Sequence, residues 1–124
     1  MMLKKISVRE SMVLALATMH EMEGKQVCAN LPGWKKPVAI SLPLQSGHVP
    51  SVVADGKIYD VVPGNSIPND LSDARWTYFA TYAQQNGLKF IIVTLNDCVC
   101  LVKERLFQLR LPGVVIALQL LQYT

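Results

Sequence analysis

A chain of 124 residues is long enough for one domain with one core and too short for two independent ones. With 51% apolar and 17% charged residues the composition excludes a disordered chain, and the apolar runs are too short or too interrupted to span a bilayer. Twelve Lys and Arg against nine Asp and Glu leave a net charge of +3, which permits a nucleic-acid partner without marking a dedicated one.

The first element is announced by Ser7 and Glu10, which stand at the S-x-x-E spacing of a capping box. Val8, Met12, Leu16 and Met19 then recur at helical intervals, and Gly24 supplies the stop. No continuous apolar stretch with a cleavage site occurs between Met1 and Leu16, so a cytoplasmic location is expected. Residues 25–31 read as a short strand. The run Pro32-Gly33-Trp34-Lys35-Lys36-Pro37 reads as an irregular connection, and 38–42 as a second short strand.

Residues 49–54 and 57–62 are two β-favouring runs joined by Asp55-Gly56. A two-residue D-G link suits a type I′ turn, whose central residues both need positive φ, so the pair predicts a tight antiparallel hairpin. Residues 63–69 follow as a loop. A helix is predicted from Asp70 or Ser72 to about Asn86, with Leu71, Ala74, Tyr78, Phe79, Tyr82 and Ala83 inward and Gly87 ending it. Residues 89–95 form a continuous apolar strand of the kind buried on both faces. Asn96 or Asp97 is expected to cap a third helix to about Leu109, with Val99, Val102, Leu106 and Leu109 inward, and 113–121 reads as a last strand. The order implies an α/β fold with a mixed central sheet and helices against its faces. Three cysteines, two of them in the C-x-C of Cys98 and Cys100, support neither a disulfide framework nor a zinc site, and mostly buried reduced thiols are expected.

With Pro50-Ser51 on one hairpin strand and Asp60-Val61-Val62 on the next, the chain resembles the PD-(D/E)XK, or restriction-endonuclease-like, superfamily. Members of that superfamily share the core order of helix, three strands, helix and strand that is expected here between Ser7 and Leu95. Their P-D dipeptide lies on the second core strand and their (D/E)-x-K on the third, about as far apart as Pro50-Ser51 and Asp60. The likeness is concentrated in residues 47–95. It implies a metal-dependent nuclease, in which two neighbouring carboxylates hold Mg²⁺ and a lysine offsets charge developing on the phosphate.

The chain departs from that pattern, because Ser51 stands where the first Asp would be and Val62 where the Lys would be. Asp60 alone remains as the candidate metal ligand, the other possibility for it being a solvated edge carboxylate. Ser51, and Glu10 reaching in from the first helix, complete the candidate catalytic set, although capping alone accounts for Glu10. Asp55 is explained by the turn. Lys57 falls three residues before Asp60 and so on the opposite face of the sheet. Lys35 and Lys36 beside Trp34, together with His48 and Lys57, are the candidate nucleic-acid contacts. Trp76, Tyr78, Phe79 and Tyr82 have the spacing of core and subunit-contact residues, with base stacking the alternative.

Three functions follow as expectations. The first is a catalytically degenerate, nuclease-like domain that binds nucleic acid or a protein and needs no cofactor. The second is an active Mg²⁺-dependent nuclease built on Asp60 and recruited carboxylates. The third is a structural protein whose apolar last strand pairs with a second copy in a homodimer, with no membrane partner in any case.

Overall fold

The computed structural model describes residues 7–40, 47–63 and 70–117. Helix α1 (Val8–Met22) starts where expected: the Ser7 hydroxyl accepts from the Glu10 N–H at 3.1 Å and donates to the Glu10 carboxylate at 3.3 Å. Gly24 follows its end at φ +78°, a conformation open to glycine without strain. The buried stripe is Met12, Val13, Leu16, Ala17 and His20. Val8 and Met19, expected inward, stay 50% and 46% exposed because the helix meets the sheet along the neighbouring line of side chains.

Strand β1 (Val27–Ala29) leads into the irregular 32–37 segment. The second short strand expected at 38–42 is reduced to one bridge between Ile40 and His48, with Val38 exposed, and residues 41 and 42 lie outside the described residues. The hairpin is present as β2 (Val52–Ala54) and β3 (Lys57–Val61), with Asp55 at φ 54° and Gly56 at φ 70° as a type I′ turn requires. β2 is shorter than the predicted run because Pro50 brings no donor to a ladder, although the Ser51 N–H still reaches the Tyr59 carbonyl at 3.0 Å.

The loop expected at 63–69 lies, from residue 64 onward, outside the described residues. Helix α2 (Asp70–Gln85) then buries Trp76, Phe79, Ala80 and Ala83. That face is rotated from the predicted one: Tyr82 is 38% exposed and Tyr78 half-buried, because the indole of Trp76 is drawn into the core by a polar partner described below. The inward placement of Leu71 lies outside the described residues. Strand β4 (Lys89–Thr94) is buried from its second residue onward, on both faces. A single 3-10 turn at residues 96–98 precedes helix α3 (Val99–Leu109), which has no side-chain cap, so the expected capping by Asn96 or Asp97 does not occur. Strand β5 (Val114–Ala117) ends the described chain, and residues 118–121 of the predicted strand lie beyond it.

The five strands form one mixed sheet in the order β1-β2-β3-β4-β5, antiparallel across β1-β2-β3 and parallel across β3-β4-β5. Alternation along the strands divides the core in two. Val52, Ala54, Tyr59, Val61, Ile91 and Val93 pack under α1, whereas Ile58, Val62, Phe90 and Ile92 pack under α2 and α3. Both crossovers, β3-α2-β4 and β4-α3-β5, place their helix on that second face, as two crossovers of one hand moving in one direction must. An Asp73–Arg105 ion pair ties the two helices together, and each fully buried large side chain adds about 1.5–3 kcal/mol. The three cysteines are free, but none is fully buried, contrary to expectation, since they fall at an edge strand and at the start of α3. Among the described residues no helix is long and apolar enough to cross a membrane.

Candidate functional site

β3 is the middle strand of the sheet, and its even-numbered side chains face α2. Asp60 therefore points into a covered face and is 2% exposed. This corrects the expectation of a solvated edge carboxylate. Its Oδ1 accepts from Arg75 Nη2 at 2.7 Å and from the Ser51 hydroxyl at 3.4 Å, and its Oδ2 accepts from the Trp76 indole N–H at 2.9 Å. Arg75 and Trp76 are consecutive on α2, so one turn of helix supplies both strong donors. A carboxylate taken out of water costs several kcal/mol unless charge and hydrogen bonds replace its hydration, which these donors do.

Ser51 lies opposite Asp60 across the hairpin and is fully buried. Its oxygen accepts from the Val61 N–H at 3.0 Å and from Arg9 Nη2 at 3.0 Å, while its proton goes to Asp60. Two accepted bonds and one donated bond exhaust a hydroxyl. Arg9 reaches it from the first turn of α1, past the end of the sheet. Arg75 uses the same Nη2 to hold the Val49 carbonyl at 3.3 Å, and its guanidinium lies 5.3 Å from the centre of the Phe79 ring. His48 packs edge-on against Tyr78 with ring centres 5.0 Å apart. Burial and the nearby Arg75 hold its pKa below 6.5, against the opposing pull of Asp60, so the ring is neutral at pH 7.

The other predicted residues stand apart from this cluster. Glu10 sits on α1, which covers the opposite face from the one Asp60 points into, and is engaged with Ser7. Lys57 falls on the α1 side as expected and pairs with Asp55, which also binds Lys25 at 2.8 Å. That contact with Lys25 lowers the Asp55 pKa. Lys35 and Lys36 are exposed, Lys36 donating to the Leu31 carbonyl. Val62, two residues beyond Asp60, is buried in the core under α2. Among the described residues no three His, Cys, Asp or Glu side chains form a group able to hold a metal ion. A hard divalent cation wants six or more oxygens, and here one carboxylate is already neutralised by an arginine, so the donor set among the described residues does not fit Mg²⁺.

Arg9, Arg75 and the His20–Tyr59 pair went unnoticed in the sequence. The 42 residues separating Arg9 from Ser51 leave no local pattern to read. On the α1 face, buried His20 sits 3.0 Å from the Tyr59 hydroxyl through Nε2, and its Nδ1 has no hydrogen-bond partner among the described residues. Its appearance on the inner line of α1 was the available signal. Desolvation, followed by the charge of Lys25, lowers its pKa, and burial raises that of Tyr59.

The chain matches no protein-family model, no curated protein and no solved structure.

Asp60→Ala strands Arg75 and the Trp76 N–H, and a loss of about 3–5 kcal/mol is expected in urea unfolding. A solvated carboxylate would cost no more than about 0.5 kcal/mol, so a change that small would refute the buried pairing. For His20 the folded pKa lies below the unfolded value of 6.5, so the unfolded chain takes up the proton first. The stability tied to the neutral ring is whole above about pH 6.5 and is lost as the pH falls below it. His20→Gln, which can still bond Tyr59, is expected to flatten the stability profile between about pH 5 and 7, and an unchanged slope would clear His20 of the effect.

Proposed function

We propose that this chain is a nuclease-like domain with the restriction-endonuclease-like core that holds nucleic acid without cutting it. The element order from α1 to β4 and the adjacency of Ser51, just before β2, to Asp60 on β3 support the kinship. One observation carries the loss of catalysis: the acidic oxygens at the hairpin are consumed by Arg75, Trp76 and Ser51. A guanidinium stands where a cation would otherwise be bound, and no charged group stands at Val62 to assist a phosphate. Binding to phosphate, by contrast, needs only positive donors.

In the presence of Mg²⁺ or Mn²⁺ the protein is expected to leave single- and double-stranded DNA and RNA intact while retarding at least one of them in a gel, with affinity falling steeply as salt rises. Cleavage that disappears in Asp60→Asn would establish the active nuclease instead. Retardation of no oligonucleotide at all would turn the binding role towards a protein.

A second reading, assembly, is favoured by β5. It closes one side of the sheet, pairs on its other side with β4, and leaves Val114 52% and Ile116 37% exposed. Light scattering is expected to show a dimer that dissociates on dilution and is weakened by Ile116→Lys. A mass that stays monomeric at every concentration would remove this reading.

A further inference from the structure

The cluster around Asp60 contains more positive than negative charge. Arg75 is matched by Asp60 at 2.7 Å, but Arg9 donates only to a neutral hydroxyl, and among the described residues it has no carboxylate within ion-pair distance. One serine oxygen separates it from Asp60, so two guanidinium groups flank a single carboxylate. The position of Arg9 makes the imbalance harder to explain on structural grounds. It occupies the first turn of α1, where the backbone dipoles already present partial positive charge and a cation is disfavoured. The one acid in that turn, Glu10, is taken up with Ser7. Arg9 and Arg75 each spend only Nη2 on protein acceptors, which leaves Nη1 and Nε of both without a hydrogen-bond partner among the described residues. Both side chains are part-buried, so their fields are less screened than those of the exposed Lys35 and Lys36.

We propose that Arg9, with Arg75 beside it, forms an anion site at the end of β2 and β3 that takes a phosphate group, with the chain's own Ser51–Asp60 link holding the two guanidiniums apart. The group is the phosphodiester of a nucleic acid, and to that extent the site rests on the function proposed above. Ser51 and Asp60 are positioning residues there, since their oxygens face the arginines and not the ligand. Arg9 is the contact that can be removed without breaking a buried ion pair, which separates its role in binding from the stability of the fold.

The test compares the native chain with Arg9→Gln and Arg9→Lys, using a single-stranded oligonucleotide in a gel-shift series across salt concentrations and inorganic phosphate in thermal unfolding. Arg9→Gln is expected to bind the oligonucleotide about ten-fold more weakly and to lower the salt slope by roughly 0.7, one phosphate contact on a single strand, with its unfolding temperature in the absence of phosphate lowered only by the few degrees that the single bond to Ser51 contributes. Arg9→Lys is expected to keep the slope. If the native protein binds and Arg9→Gln binds equally well with the same slope, the site is wrong while the binding function stands. If no oligonucleotide binds but phosphate raises the unfolding temperature of the native chain and not of Arg9→Gln, the site stands with a small phosphate ligand and the nucleic-acid function falls. If neither probe acts on the native chain, both fall. Should Arg9→Gln fail to fold, the Nε–H resonance of Arg9 in the native chain decides the matter, moving on phosphate titration if the site is real and staying still if it is not.

Discussion

The charge of Asp60 is the constraint around which this fold is arranged. A carboxylate on the middle strand of a sheet, turned towards a helix-covered face, needs compensation from that helix, and the compensation dictates which residues of α2 point inward. Trp76 is buried because its N–H bonds Oδ2, Arg75 lies along the rim because its Nη2 bonds Oδ1, and Phe79 follows one turn later under the guanidinium. The same bonds fix how α2 sits over β3, and through Val49 they hold the chain entering β2. On the other flank Ser51 joins the hairpin to α1 by way of Arg9, so both layers of helix are linked polar-to-polar through one strand pair.

That arrangement bears directly on chemistry. Paired carboxylates attract a divalent cation because their mutual repulsion is relieved by it, whereas a carboxylate that already holds a guanidinium has no such repulsion to relieve. With Asp60 bonded to Arg75 and Arg9 donating to Ser51, two guanidiniums and one carboxylate meet at the hairpin end among the described residues. Tyr59 and His20 form a separate buried polar pair on the α1 face, with no side-chain hydrogen bond to this cluster among the described residues, and their contribution is to the pH response of stability.

The main elements could be read from local patterns because local physics made them: Ser7 caps α1, Asp55 and Gly56 turn the hairpin, and a run of apolar residues makes β4 a strand buried on both faces. The closeness of positions 51 and 60 also follows from the hairpin register, since Val52 pairs with Tyr59. Errors arose where a distant partner decided the outcome. On α2, Trp76, Phe79 and Ala83 are buried as read, but Tyr82 is 38% exposed, because the bond from Trp76 to the buried acid on β3 sets which line of the helix faces the sheet. The expected strand at 38–42 had suitable residues and only one bridge in which to use them.

The sequence by itself determined the order of elements and the tight turn, because capping and φ preferences act over a few neighbouring positions. Only the tertiary structure decided what surrounds Asp60. Arg9, Ser51, Arg75 and Trp76 are drawn from two helices and a strand, and which of them meet depends on how those elements pack, since burying one charge between layers selects its partners by proximity in space and not along the chain.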